Sequence, residues 1–119
     1  MKELVVHCGL HKTGTTALQN FLTGNRAVLR RHGVLYPLVG TPHNLSGQHN
    51  IAWQMARDRR FRSVWGDIEA LFEEIGSFDG RVILSSEEFE GSLLHPDRWP
   101  RLVGRAAASG YQVRLVRSE

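Results

Sequence analysis

From Gly9 to Thr16 the chain reads Gly-Leu-His-Lys-Thr-Gly-Thr-Thr, with two glycines, three threonines and one lysine. These residue types at this spacing suit an anion. Glycines let the backbone approach a ligand, successive N–H groups form a nest, and a helix start behind them adds positive dipole. Thr15 and Thr16 add hydroxyl donors, and Lys12 adds a full charge. A turn needing only a cap would be served by a single threonine. The loop also departs from the nucleotide-binding P-loop, in which lysine directly follows the second glycine. Here Thr15 follows Gly14 and Lys12 precedes it, so the ammonium reaches a different atom of the ligand.

Such a loop needs a strand before it and a helix after it. Leu4-Val5-Val6, ending at Gly9, predicts a buried strand. Ala17, Leu18, Phe21 and Leu22 recur at helical spacing. Gly24-Asn25 interrupts that helix, and a second short one runs through Val28, Leu29, Arg30 and Arg31 to a stop near Gly33. Val34-Leu35-Tyr36 reads as extended up to Pro37, and residues 38–47 read as a loop. A helix containing His49, Ala52, Trp53 and Met55 follows. Val64, Ile68, Leu71, Phe72 and Ile75 form one amphipathic stripe. Asp79-Gly80 marks a turn before a second buried strand, Val82-Ile83-Leu84. Pro96 opens a helix placing Trp99, Leu102, Val103, Ala106 and Ala107 on one face, Gly110 ends it, and Tyr111 to Val116 gives a third strand.

Apolar strands alternating with amphipathic helices predict an α/β fold, a P-loop-like three-layer α/β/α arrangement on a parallel sheet. Ligands of such sheets bind beyond the carboxyl ends of the strands. That directs attention to Gly9–Thr16, to Ser85–Glu88 and to Arg117.

Composition narrows the function classes. At 119 residues, 41% hydrophobic and 23% charged, the chain is one folded domain or part of one, not a disordered segment. No apolar run approaches the ~20 residues of a membrane span. Lys2 is followed by too few apolar residues for a signal peptide, and Cys8 as the single cysteine excludes an internal disulfide or a cysteine-based zinc site. A cytoplasmic setting is the expectation. A net charge of +3 permits an anionic ligand without demanding one, and no nucleic-acid-binding signature is present. His43 and His49 lack a third ligand at metal-binding spacing, so no metal is expected. The basic cluster Arg57 to Arg62 reads as a solvated turn or as a surface that steers an acidic acceptor. Trp53, Trp65 and Trp99 read as core or as an acceptor pocket, with Trp99 on its helix's apolar stripe.

His11-Lys12-Thr13-Gly14-Thr15-Thr16, followed by Leu18-Gln19 and Phe21-Leu22, resembles the phosphosulfate-binding loop of sulfotransferases that use 3′-phosphoadenosine 5′-phosphosulfate (PAPS). Gly33-Val34-Leu35-Tyr36-Pro37 is similar to a following segment of bacterial members, and Ser85-Ser86-Glu87-Glu88-Phe89 to their second motif. The resemblance spans the chain but only the front part of a typical catalytic domain. It implies an incomplete domain, in which the serine completing the 3′-phosphate site would lie beyond Glu119.

The resemblance implies that His11, Lys12, Thr13, Gly14, Thr15 and Thr16 hold the 5′-phosphosulfate and that Arg117 binds the 3′-phosphate, where a guanidinium fork suits two hydrogen bonds. It implies that Lys12 also stabilises the charge growing on the bridging oxygen as the bond to sulfur breaks. The acceptor, a hydroxyl or amine on a small molecule, glycan or lipid, must lose a proton as it attacks. The resemblance places that base at Glu87, with Glu88 pointing elsewhere and His49, in Ser46-Gly47-Gln48-His49-Asn50, as the rival. Glu87 also reads as a helix-start carboxylate, and His49 as a polar helix-start residue or substrate contact. A P-loop kinase or NTPase is the competing class, with Thr15 or Thr16 and Glu87 serving Mg²⁺. An inactive fragment keeping only the anion loop is the third.

Overall fold

The computed structural model describes residues 2–9 and 15–118. Four strands, β1 (Glu3–Gly9), β2 (Val34–Leu35), β3 (Arg81–Ser85) and β4 (Gln112–Ser118), form one sheet in the order β2-β3-β1-β4 with every pairing parallel. The helices are α1 (Thr15–Gly24), α2 (Arg26–Arg31), α3 (His49–Ala56), α4 (Ile68–Ile75) and α5 (Pro100–Ala108). The α/β class is as expected, and the arrangement is consistent with three layers. Among the described residues no helix is long and apolar enough to cross a membrane.

Strand alternation assigns the two faces of the sheet. Leu4, Val6 and Cys8 of β1 and Val82 and Leu84 of β3 share one face, which buries Ile51, Ala52 and Met55 of α3, Ile68, Leu71, Phe72 and Ile75 of α4, and Leu102 and Ala106 of α5. Val5, His7 and Ser85 turn to the other face, where Gln19 of α1 reaches Ser85. β1 is central and buried through Gly9, whereas β4 is an edge strand with mostly exposed side chains.

Three details differ from the sequence expectation. Val64 lies in a 3₁₀ turn, Ser63–Trp65, and is 84% exposed rather than part of the stripe. Gly66, at φ 93°, breaks the chain there, and Asp67 caps α4 by accepting from the Ala70 N–H at 2.8 Å. On α1 the outward residues are apolar Leu18 and Phe21, and polar Gln19 is buried with Leu22. Pro96 opens only a 3₁₀ turn, α5 starts at Pro100, and Val103 and Ala107 face outward. An i, i+4 pair, Leu102 and Ala106, covers the core there.

β2 pairs with β3 for only two residues, Val34 with Arg81 and Leu35 with Val82. Beyond them a side chain completes the edge. Gln48 is fully buried; its Oε1 accepts from the Ser85 N–H at 2.8 Å and its Nε2 donates to the Pro37 carbonyl at 2.8 Å. Its own N–H donates to the Ser85 carbonyl at 2.9 Å. Replacing Gln48 with leucine strands the buried Ser85 N–H and leaves the Pro37 carbonyl to the Arg26 guanidinium, which donates to it at 3.0 Å. Gln48→Leu is expected to lower unfolding free energy by roughly 1–3 kcal/mol in urea denaturation.

Candidate functional site

Two strand ends lie side by side where His7 of β1 pairs with Ser85 of β3, and the chain extends that pairing as the Ser86 N–H donates to the His7 carbonyl at 3.1 Å. The Ser86 hydroxyl then accepts from the Glu88 N–H at 3.0 Å, which starts the 3₁₀ turn Glu87–Ser92. This local cap turns the chain back and projects Glu87 into a cleft of about 350 Å³. The cleft is walled by the first turns of α1, by the loop before α3, by α3 itself and by the turn after β3.

Inside it, Glu87 sits between two partners. Gln19 Nε2 donates to Glu87 Oε2 at 3.4 Å, and His49 Nδ1 lies 3.8 Å from Glu87 Oε1. His49 Nδ1 is also 2.6 Å from Ser86 Oγ. That oxygen accepts from the Glu88 N–H and can still donate to or accept from the imidazole, according to its tautomer. Gln19 is itself fixed, because its Nε2 donates to Ser85 Oγ at 3.1 Å, and Ser85 Oγ lies 2.9 Å from His7 Nδ1. Gln19, Ser85, Ser86, His7 and His49 are all buried, whereas Glu87 is partly open to the cleft. The result is a buried polar network carrying one accessible carboxylate.

Glu88 lines the same cleft but turns to Arg60, at 2.9 Å, and to the Trp53 indole N–H, at 3.3 Å. Arg60 also pairs with Asp58 and by that hydrogen bonding holds the Asp58 carboxyl at about 2. Arg62 donates to the carbonyls of Arg59 and Phe61. Much of the basic cluster is thus engaged with its own surroundings. Trp65 packs on Trp53 and Trp99 on Phe89, so of the three tryptophans only Trp53 borders the cleft.

The other sequence candidates fall as follows. Thr15 is buried at the start of α1, and Thr16 lines the cleft. His11, Lys12, Thr13 and Gly14 lie outside the described residues. Arg117 stands opposite Cys8 on β4 and pairs with Glu90 at 2.9 Å, away from the cleft lining. Glu87, His49 and Thr16 are therefore brought together, and Arg117 is set to one side. Cys8 beside it is buried; desolvation and the nearby Glu90 push its thiol pKa up despite the opposing pull of Arg117. Among the described residues no group of three or more His, Cys, Asp or Glu side chains is placed to hold a metal.

Two positions gain importance only in three dimensions. Gln19 was visible in the sequence as part of the resemblance after the loop and as a polar residue among apolar helix positions, with no role attached to it. Gly47 carries no local signal beyond its loop, yet a Cβ there would stand 2.7 Å from the Ser85 carbonyl, 2.8 Å from the His49 ring and 2.9 Å from the Gln19 amide. A glycine lets the loop press against both partners of Glu87.

Comparison of the chain with protein-family models, with curated proteins and with solved structures gives no match. The functional reading stands on the residues.

The network has a pH signature. His7 Nδ1 is hydrogen-bonded to Ser85 Oγ, which also accepts from Gln19, with no carboxylate among these partners. Burial lowers the His7 pKa below its ordinary 6.5. As pH falls below about 6.5 the unfolded chain takes up a proton that the folded chain resists. This contribution is fully present above that pH and is lost as pH falls toward the lowered value. Unfolding free energies from urea titration should fall across that window, by at most about 1.4 kcal/mol per pH unit for this one group, and His7→Gln should flatten that part of the slope.

Proposed function

We propose that the chain transfers a sulfuryl group from PAPS to a hydroxyl or amine acceptor, the activity implied by its resemblance to sulfotransferases. The observation that carries this reading is the cleft in which Glu87, His49 and the first turn of α1 meet, at the carboxyl ends of parallel strands. The α1 turn is the end of the Gly9–Thr16 loop, so an anion held by that loop would lie beside a carboxylate able to take a proton.

The described residues are compatible with such a donor. Thr16 lines the cleft, and Arg117, about half exposed, pairs with Glu90 in a surface ion pair of the kind that costs little to exchange for a phosphate. When bound, PAPS would supply an activated sulfuryl group. The chain's own residues prepare the attack. Gln19 holds Glu87 Oε2 and leaves Oε1, next to His49, to accept the acceptor's proton. Ser86 restrains the His49 ring. Lys12 has the role of a cation at the developing negative charge, which lowers a barrier only if it acts more strongly on the transition state.

A second reading has one observation in its favour. Thr16 and Glu87 line the same cleft, and a hydroxyl with a nearby carboxylate is the set that holds Mg²⁺ in P-loop kinases and NTPases. Titration separates the two. 3′-Phosphoadenosine 5′-phosphate should bind more tightly than ATP, with or without magnesium. Tighter, magnesium-dependent ATP binding would establish the kinase reading instead.

The roles within the cleft are tested by turnover. Glu87→Gln should lower kcat by about 10²-fold or more with little change in nucleotide affinity, and His49→Ala should lower it less. The reverse order would make His49 the base.

A further inference from the structure

The chemistry of the cleft wall narrows the acceptor. Resting on the transfer reading above, we propose that the acceptor is an uncharged sugar or similar polyol, presented hydroxyl-first to Glu87. Arg117, the residue tied to the donor's 3′-phosphate, does not line this cleft, so the part of the cleft beyond Thr16 is open to the acceptor.

The wall beyond Glu87 carries neutral hydrogen-bonding groups beside the apolar Leu45 and Trp53. Ser46 Oγ donates to Asn20 Oδ1 at 2.6 Å, and the Tyr36 hydroxyl fixes this loop by donating to the Ser46 carbonyl at 2.6 Å. With Oδ1 occupied, Asn20 offers its amide N–H groups, while Ser46 Oγ keeps lone pairs to accept. A donor and an acceptor side by side complement hydroxyl groups, each of which does both. Asn44 adds an amide from a left-handed position, φ 62°.

The wall also disfavours the alternatives. Its acidic groups are Glu87 and Glu88, and no lysine or arginine lines it among the described residues. Among the described lining residues, a carboxylated or sulfated acceptor would meet the Glu87 and Glu88 carboxylates with no lysine or arginine beside them. An ammonium would pair with Glu87 and occupy the base that has to take its proton. The volume, about 350 Å³, lies at the small end for ligand sites and suits a sugar ring with its neighbour outside.

Saturation-transfer NMR titrations test this without donor or turnover. The probes are the neutral disaccharides cellobiose, lactose and N,N′-diacetylchitobiose, the acidic cellobiouronate, and 1-octanol. At least one neutral disaccharide should bind about fivefold or more tightly than cellobiouronate and octanol. Asn20→Ala, a change at an exposed position, should weaken that sugar by about fivefold. Binding of none of the neutral sugars, equal or tighter binding of cellobiouronate or octanol, or an unchanged affinity in Asn20→Ala would each overturn the proposal. The nucleotide titration is an independent readout. Sugar binding without 3′-phosphoadenosine 5′-phosphate binding would keep this inference and remove the sulfuryl-transfer reading, and the opposite pattern would do the reverse.

Discussion

Buried polar atoms have to be hydrogen-bonded, and at the carboxyl ends of β1 and β3 this requirement governs the molecule. Ser85 and Ser86 are fully buried there with His7, Gln19, Gln48 and His49 around them. Each finds partners only if α1, the loop before α3 and the turn after β3 all converge on the same point. Gln48 satisfies the β3 backbone, Gln19 and His7 satisfy the Ser85 hydroxyl, and His49 meets Ser86. Glu87 is the one member of this assembly that remains partly open. Its exposure is a by-product of how thoroughly its neighbours are bound.

A fully bonded network of this kind is also what a catalytic base requires. A carboxylate held at one oxygen by an amide and flanked at the other by an imidazole would lose little freedom in accepting a proton. Gly47 makes that possible at no side-chain cost, because the loop can approach Gln19, His49 and Ser85 more closely than any other residue would allow. Apolar packing by α3, α4 and α5 on the opposite face of the sheet supplies the rigid support.

Much of the framework was legible in the residues. Leu4-Val5-Val6 and Val82-Ile83-Leu84 are apolar on consecutive positions because both faces of those strands are covered, and such runs announce a parallel sheet. The break at Gly24-Asn25 and the stop at Gly33 were legible because glycine and asparagine change the backbone locally. What could not be read was orientation. Leu18 and Phe21 look like a core stripe, yet α1 turns Gln19 inward, because the partner it meets, Ser85, is 66 residues away. Val64 keeps helical spacing with Ile68, but Gly66 and the Asp67 cap decide where the helix begins. For the site, the strand exit Ser85–Glu88 was legible from its place after an apolar run, while Glu87 was singled out by the resemblance. Gln19 and Gly47 were not, since their importance lies in contacts that no local spacing encodes.

The solitary cysteine has a practical bearing. Cys8 is buried on the central strand, with its thiol held toward the protonated form and donating to the Val116 carbonyl at 3.7 Å. Reagents that require a thiolate have neither the charge state nor the access they need while β4 stays docked. Alkylation at this one atom therefore clocks the detachment of the outermost strand, and the chain carries its own built-in probe of breathing at that margin.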